Sequence, residues 1–219
     1  MKALISLSGG MDSATVLGLA LSKGIECTGI GFAYGSKHSI YELEMAQRLC
    51  SYYLIPFKII NLVQAMRDFK SALLVSGDEI PEGHYEDESM SQTVVPCRNM
   101  IFASILAGLA ESTGSEEIHL GIHAGDHAIY PDCRPMFLES MDTTIRHATE
   151  NKVKLVAPFI NMDKGGILAA GLSLGVPYLH TRTCYKNQEV ACGKCGSCQE
   201  RLEAFASVNK IDPIEYAKE

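Results

Sequence analysis

Six residues near the amino terminus, Ser8-Gly9-Gly10-Met11-Asp12-Ser13, set two glycines, two hydroxyls and a carboxylate side by side. That set suits a polyphosphate. Glycines let the backbone approach a ligand closely, the free N–H groups of a helix N-terminus point at an anion, and serine hydroxyls add donors. Asp12 then either caps the helix or holds a magnesium ion that bridges phosphates. The flanks agree with this reading. Ala3-Leu4-Ile5-Ser6-Leu7 is short and apolar, as a buried parallel strand should be, and Ala14 to Leu21 is long and apolar enough to begin a buried helix. The plainer alternative is a tight strand-to-helix turn with no ligand.

A second cluster lies late in the chain, Cys184-x7-Cys192-x2-Cys195-x2-Cys198. Four thiolates satisfy zinc tetrahedrally and leave no open position, which predicts a structural ion. Spacing by itself does not separate zinc from an iron–sulfur cluster. Gly193 and Gly196 supply the turns that bring successive sulfurs onto one ion, and the helix-favouring Gln199 to Phe205 follows. Of the other cysteines, Cys27, Cys50, Cys97 and Cys133 read as small hydrophobes. With eight cysteines in 219 residues and four of them in one segment, a metal site in a reducing cytosol fits better than a disulfide scaffold.

The elements that must position these groups follow from hydrophobic periodicity. Strands are expected at 2–7, 25–32, 57–62, 117–122 and 153–157, and helices at 12–23, 39–53, 62–70, 97–113, 135–149 and 163–174. Gly24, Gly114 and Gly175 stand where helices should stop. Strands and helices alternating at this spacing predict an α/β fold, a parallel sheet of about five strands with helices on both faces. Residues 76–95 are polar and read as a long loop or lid. The expected organisation is an α/β domain built around the Ser8–Ser13 loop over 1–180 and a small zinc-binding segment with terminal helices over 181–219.

Composition sets further bounds. Apolar residues make up 47% and charged residues 21%, ordinary for a soluble α/β protein. No run of about 18 apolar residues appears, so no membrane span is expected, and the N-terminus carries no secretory pattern. The net charge of −7, from 19 basic and 26 acidic residues, favours a small-molecule substrate over a nucleic-acid partner.

The Ser8–Ser13 string resembles the PP-loop of ATP pyrophosphatases, which cleave ATP between its α and β phosphates; no Walker loop, G-x-x-x-x-G-K-[ST], occurs. Other stretches narrow the resemblance to the 7-cyano-7-deazaguanine synthase (QueC) family. Phe32-Ala33-Tyr34-Gly35-Ser36-Lys37-His38 resembles that family's F-D-Y-G-x-[RK]-H, and Val95-Pro96-Cys97-Arg98-Asn99 its V-P-G-R-N. Tyr130-Pro131-Asp132-Cys133-Arg134 with Phe137 matches Y-P-D-C-R-x-x-F, Asp163-Lys164 the start of D-K-A-E-T, and Thr183-Cys184-Tyr185 T-C-Y. The order is collinear over residues 4–201. Ala33, Cys97 and Gly165-Gly166-Ile167 depart from the pattern, as does His123-Ala124-Gly125-Asp126-His127, where the family has C-E-T-D but Asp126 is kept.

The resemblance implies an adenine nucleotide alpha-hydrolase-like fold and a ligase that uses ATP with Mg2+. That ligase turns 7-carboxy-7-deazaguanine and ammonia into the nitrile through the amide. It implies that Leu7, Ser8, Gly9, Gly10, Met11, Asp12, Ser13, Ala14, Thr15, Val16 and Leu17 hold ATP. Asp12, Lys164 and Arg98 are the catalytic candidates, the two cations beginning predicted helices from which they reach pyrophosphate or a substrate carboxylate; Lys37 and His38 are weaker ones. A deazaguanine edge shows N1–H and an exocyclic amine, which a carboxylate reads well. Asp126 and Asp132 are the candidates for that role, with Arg98 for the substrate acid and Tyr130 and Phe137 for stacking. His123 and His127 as a metal pair, turn-forming roles for the aspartates and core roles for the aromatics are the rival readings. A cytoplasmic homodimer is implied, its contacts expected on the helices at 97–113 and 135–149. Ammonia would arrive free or from a partner, since no glutaminase domain fits the length. Rival functions are transfer of the adenylated base to a partner-protein amine in an anti-phage system, tRNA thiolation, and non-catalytic nucleotide sensing.

Overall fold

The computed structural model describes residues 1–83, 88–123 and 129–217. Five strands, β1 (Lys2–Ser6), β2 (Glu26–Ala33), β3 (Phe57–Asn61), β4 (Glu117–His119) and β5 (Lys154–Val156), form one sheet in the order β3-β2-β1-β4-β5. Every pairing is parallel. Among the described residues, six helices cover it: α1 (Met11–Ser22), α2 (Ser39–Tyr52), α3 (Arg98–Thr113), α4 (Pro135–Ala148), α5 (Lys164–Ser173) and α6 (Gly196–Ser207). The strand order reverses between β1 and β4, and such switch points open a crevice beyond the carboxyl ends of the strands.

Side chains alternate between two cores. On β1, Leu4 packs with Ile30, Phe32, Leu106, Ile118 and Met141, the layer of α3 and α4. Ala3 and Ile5 face the other way, against Leu17, Leu49, Ile167 and Phe205 from α1, α2, α5 and α6. The period-2 exchange across one strand is what makes a two-sided α/β layer. Gly24, Gly114 and Gly175 all sit in the left-handed region, at φ +71°, +69° and +69°, where the helices before them end.

Three expectations need correction. Residues 63–68 form turns, not a helix. Asn61 Oδ1 accepts the Val63 N–H at 3.0 Å, an Asx turn that gives this backbone an alternative to helical bonding. β4 and β5 end earlier than expected, although Leu120 N–H still bonds Val156 O at 2.9 Å. Within the polar stretch 76–95, Glu88–Thr93 is a short 3-10 helix, and Glu82 pairs through its backbone with Cys195.

One stretch, Ser89–Thr113, has the length and apolarity of a membrane span. Residues 94–97 interrupt its helix, and α3 places Phe102, Ala103, Leu106 and Ala110 in the core. At 16 residues α3 is about 24 Å long, short of a hydrocarbon core of about 30 Å. It is a core helix.

Candidate active site and metal centre

β1 delivers the loop and α1 receives it. Gly9 has φ +77°, and a Cβ there would lie 2.4 Å from the Glu42 carbonyl oxygen of α2. Only glycine fits so tight a seat. Gly10, at the N-cap of α1, puts no side chain over the helix terminus, so its N–H groups stay approachable. The two hydroxyls meet across the loop, Ser8 Oγ lying 3.2 Å from Ser13 Oγ, and Ser13 Oγ donates to Gly10 O at 3.2 Å. Gly121, just after β4, lies against this terminus; a Cβ there would be 3.0 Å from Ser13 N.

Asp12 opens the first turn of α1 and belongs to a charged cluster. Lys164, the first residue of α5, donates from Nζ to Asp12 Oδ2 at 2.7 Å. Asp163 caps α5 by accepting the Gly166 N–H at 2.7 Å, so the capping geometry itself aims Lys164 at the loop. Glu200 Oε2 lies 3.0 Å from the same ammonium, and His123 Nε2 is 3.6 Å from Asp12 Oδ2. Burial would raise the Asp12 pKa, but Lys164 and His123 prevail and hold it below 3.8. Its second oxygen, Oδ1, is buried and has no hydrogen-bond partner among the described residues. An anionic oxygen left over beside a phosphate-type loop fits a divalent cation.

This cluster forms one end of a cavity with about 1090 Å3 of free space, counting the part open to solvent. Ser8, Gly10, Asp12, Ser13, Lys164 and Glu200 line it there, and Phe32, Tyr34, Arg98, Phe102 and Tyr130 line it elsewhere. Phe32 and Phe102 stack with centroids 3.9 Å apart, and Tyr34 meets Phe102 edge-on at 5.5 Å. Arg98 starts α3 inside this wall. Burial opposes its charge, yet the side chains of Tyr34, Tyr130, Cys133 and Tyr185 around it raise its pKa above the ordinary value, so it is a permanent cation. Tyr130 is buried and shares a 2.7 Å hydrogen bond between its hydroxyl and Thr93 Oγ1.

The other sequence candidates are placed differently. Asp132 Oδ2 accepts the Asn99 N–H at 2.8 Å, capping the first turn of α3, and Asp132 is not among the residues lining the cavity. Phe137 packs against the core of α3 and α4 and is also absent from the lining. Asp126 and His127 lie outside the described residues. Lys37 donates to the carbonyls of Gly77 and Asp78, and buried His38 places Nδ1 3.1 Å from Tyr185 O. Of the loop stretch, Leu7, Ser8, Gly10, Asp12 and Ser13 reach the cavity, while Ala14, Val16 and Leu17 are buried in the core and Thr15 Oγ1 bonds Met11 O at 2.8 Å.

The four late cysteines converge. The sulfurs of Cys184, Cys192, Cys195 and Cys198 all lie within 4.8 Å of one another, and all four residues are buried. Backbone N–H groups aim at the sulfurs: Cys192 N at Cys184 Sγ, 3.3 Å, and Lys194 N and Cys195 N at Cys192 Sγ, 3.4 and 3.3 Å. Thiols this close share their protons unequally. Hydrogen bonds from Cys195 and Cys198 bring Cys184 far down, while hydrogen bonding to Cys184 pushes Cys195 up to about 12 and, together with Cys195, raises Cys198 further. Four such sulfurs ionise together only around a cation, so the donor set could hold a metal.

The profile of the queuosine biosynthesis protein QueC matches residues 2–209. The chain is 48% identical over 216 residues to a 7-cyano-7-deazaguanine synthase of Marinobacter nauticus, covering 98% of this chain and 97% of the relative. A synthase of the same name from Methanoregula boonei is 46% identical over 217 residues, covering 99% of both. This chain belongs to the QueC family.

Among solved structures, a predicted tRNA methyltransferase subunit from Methanocaldococcus jannaschii has TM-score 0.53 at 13% identity, covering 97% of this chain and 91% of the other. NMN synthetase from Francisella tularensis has TM-score 0.51 at 12% identity, covering 96% and 77%. These two are alike in fold.

Within the QueC frame, two departures acquire physical reasons. Cys97, standing where the pattern has glycine, sits in the left-handed region at φ 52°, a conformation glycine adopts without cost. Gly165, where the pattern has alanine, faces Ser207: a Cβ would meet its Oγ at 2.8 Å. Sequence reasoning overlooked Glu200, Arg182, Thr183 and Phe102 as lining residues. The signal for Glu200 was its place two residues after Cys198; nothing in the local sequence marks Arg182 or Phe102.

Proposed function

We propose that this chain is an ATP-dependent carbon–nitrogen ligase converting 7-carboxy-7-deazaguanine and ammonia into 7-cyano-7-deazaguanine. The observation that carries the reading is the Asp12–Lys164 pair at the phosphate-type loop, sharing one cavity with Arg98 and the aromatic wall. A carboxylate is a poor electrophile because it is anionic and resonance-stabilised. Its oxygen attacks the α-phosphorus of ATP and pyrophosphate leaves, so that AMP becomes the leaving group. Ammonia attacks the carbonyl carbon, AMP departs, and one ammonia proton is lost to give the amide. The amide oxygen then attacks the α-phosphorus of a second ATP and expels a second pyrophosphate; loss of AMP and of the two N–H protons yields the nitrile.

The protein's part is positioning and charge. Ser8, Gly9, Gly10 and Ser13 hold phosphates, Lys164 meets the pyrophosphate, and Arg98 neutralises the substrate acid. Asp12 would hold magnesium, which would supply charge screening for the phosphates. Phe32, Phe102 and Tyr130 enclose the base. Asp126 remains the candidate for reading the guanine edge, because Asp132 serves α3 as a cap. Zinc held by Cys184, Cys192, Cys195 and Cys198 would tie the segment 181–219 together beside the ATP-binding domain 1–180. We assign the protein to the cytosol, as a homodimer, on the strength of its thiol chemistry and family.

The test is mass spectrometry of the products after incubation with ATP, magnesium, ammonium and 7-carboxy-7-deazaguanine. The nitrile, AMP and pyrophosphate are expected. ADP as the sole nucleotide product, or the deazaguanine mass appearing on a partner protein, would overturn the reading.

A further inference from the structure

Lys164 is held from two sides. Its ammonium lies 2.7 Å from Asp12 Oδ2 and 3.0 Å from Glu200 Oε2, and the Lys164 and Glu200 side chains are only 11% and 12% exposed. Glu200 is on α6, the helix that starts at the cysteine knuckle with Cys195 as its N-cap and Cys198 in its first turn. α6 reaches the start of α5 through a close approach at Gly165 and Ser207, where a Cβ at 165 would lie 2.8 Å from Ser207 Oγ and force that hydroxyl to turn away. Asp12, Lys164 and Glu200 line one cavity with Ser8 and Gly10.

We propose that Glu200 is a positioning residue for the reaction, its carboxylate holding the Lys164 ammonium in reach of the phosphate loop. The proposal rests on the reading that Lys164 meets the pyrophosphate. A lysine side chain has four rotatable bonds, and one carboxylate alone would collapse it into a closed pair with Asp12. Glu200 gives the amine a second carboxylate on another helix, so α1 and α6 together fix where it sits at the cavity. Its charge is then shared between two acids instead of being closed onto Asp12 alone. The neighbouring residue does different work: Arg201 is fully buried and pairs with Asp212. α6 thus presents one residue to the site and the next to the scaffold.

Glu200→Gln keeps the shape and removes the charge, while Glu200→Asp keeps the charge on a shorter stem. The readouts are kcat and KM for ATP, ATP affinity by titration calorimetry, and metal content by mass spectrometry. Glu200→Gln is expected to raise KM and Kd for ATP at least five-fold and lower kcat about ten-fold with metal content unchanged. Glu200→Asp should recover part of the loss. In a Lys164→Met background, Glu200→Gln should change nothing further. Kinetic constants within two-fold of the parent in Glu200→Gln overturn the proposal. Metal lost in step with activity overturns it too, since that marks a broken knuckle. Should Asp12→Asn and Lys164→Met themselves leave ATP turnover unchanged, the reading of the site falls, and the proposal with it.

Discussion

His119 and Glu117 on β4 form a buried polar pair, Nε2 to Oε2 2.6 Å, with Lys154 on the other carboxylate oxygen at 2.6 Å. Burial outweighs Glu117 and holds the His119 pKa below 6.5; for Glu117 burial is itself outweighed, by Lys154 and His119, and its pKa lies below 4.5. Both signs point the same way. As pH falls below 6.5, His119 in the unfolded chain takes up a proton that the folded chain refuses, and below 4.5 Glu117 does likewise, so stability falls with pH in both windows. Urea midpoints should therefore decline from pH 7.5 to 5, and His119→Gln should flatten the upper part of that decline; an unchanged slope in the variant would refute the assignment. Cys97 carries a different residue-scale cost. Its left-handed φ of 52° is unfavourable for an L side chain by about 1–2 kcal/mol, against about 0.5–1 kcal/mol for the extra freedom of an unfolded glycine. Cys97→Gly is expected to raise stability by about 0.5–1 kcal/mol in urea titrations.

At the scale of elements, the strand–loop–helix from β1 to α1 works because α2 closes against it. Gly9→Ala would strain φ +77° and drive a methyl to 2.4 Å from the Glu42 carbonyl, so α2 must shift or the loop must open. The expected result is a loss of about 2 kcal/mol in stability and of at least ten-fold in ATP affinity, read by denaturation and calorimetry. Normal ATP affinity in this variant would deny the loop its role. Element type was largely legible, since strand and helix periods and the glycine stops at 24, 114 and 175 are local properties. The segment 62–70 was misread because Asn61 turns its side chain back on the backbone, a competition that apolar spacing does not register.

Across the whole molecule, the C-terminal segment is bound to the Ser8–Ser13 loop. Arg182 N–H donates to Gly9 O at 2.8 Å, and its guanidinium lies 4.6 Å from the Tyr41 ring centroid on α2. Arg201 makes a bidentate pair with Asp212, 2.7 and 2.9 Å, while Nη1 donates to Thr181 Oγ1 at 2.7 Å and the Tyr216 hydroxyl donates to Asp212 at 2.6 Å. Arg201→Met leaves Asp212 a buried, uncompensated charge and should cost about 3–5 kcal/mol. Thermal unfolding would show it; a loss below 1 kcal/mol would mean that the network carries no stability.

The sequence alone marked which residues have the types and spacing that suit a phosphate or a metal. Their types and spacings at 8–13 and 184–198 meet requirements that are satisfied within a few residues of chain. It also determined the alternation of elements, because burial of a periodic apolar face is decided locally. The tertiary structure decided which distant groups meet: Glu200 and His123 beside the Asp12–Lys164 pair, Asp132 at the α3 cap instead of the cavity, Phe32 stacked on Phe102. Those contacts join positions tens to nearly two hundred residues apart. They depend on the path of the chain and on which helices pack closely, as at Gly165 and Ser207, and no local pattern carries that information.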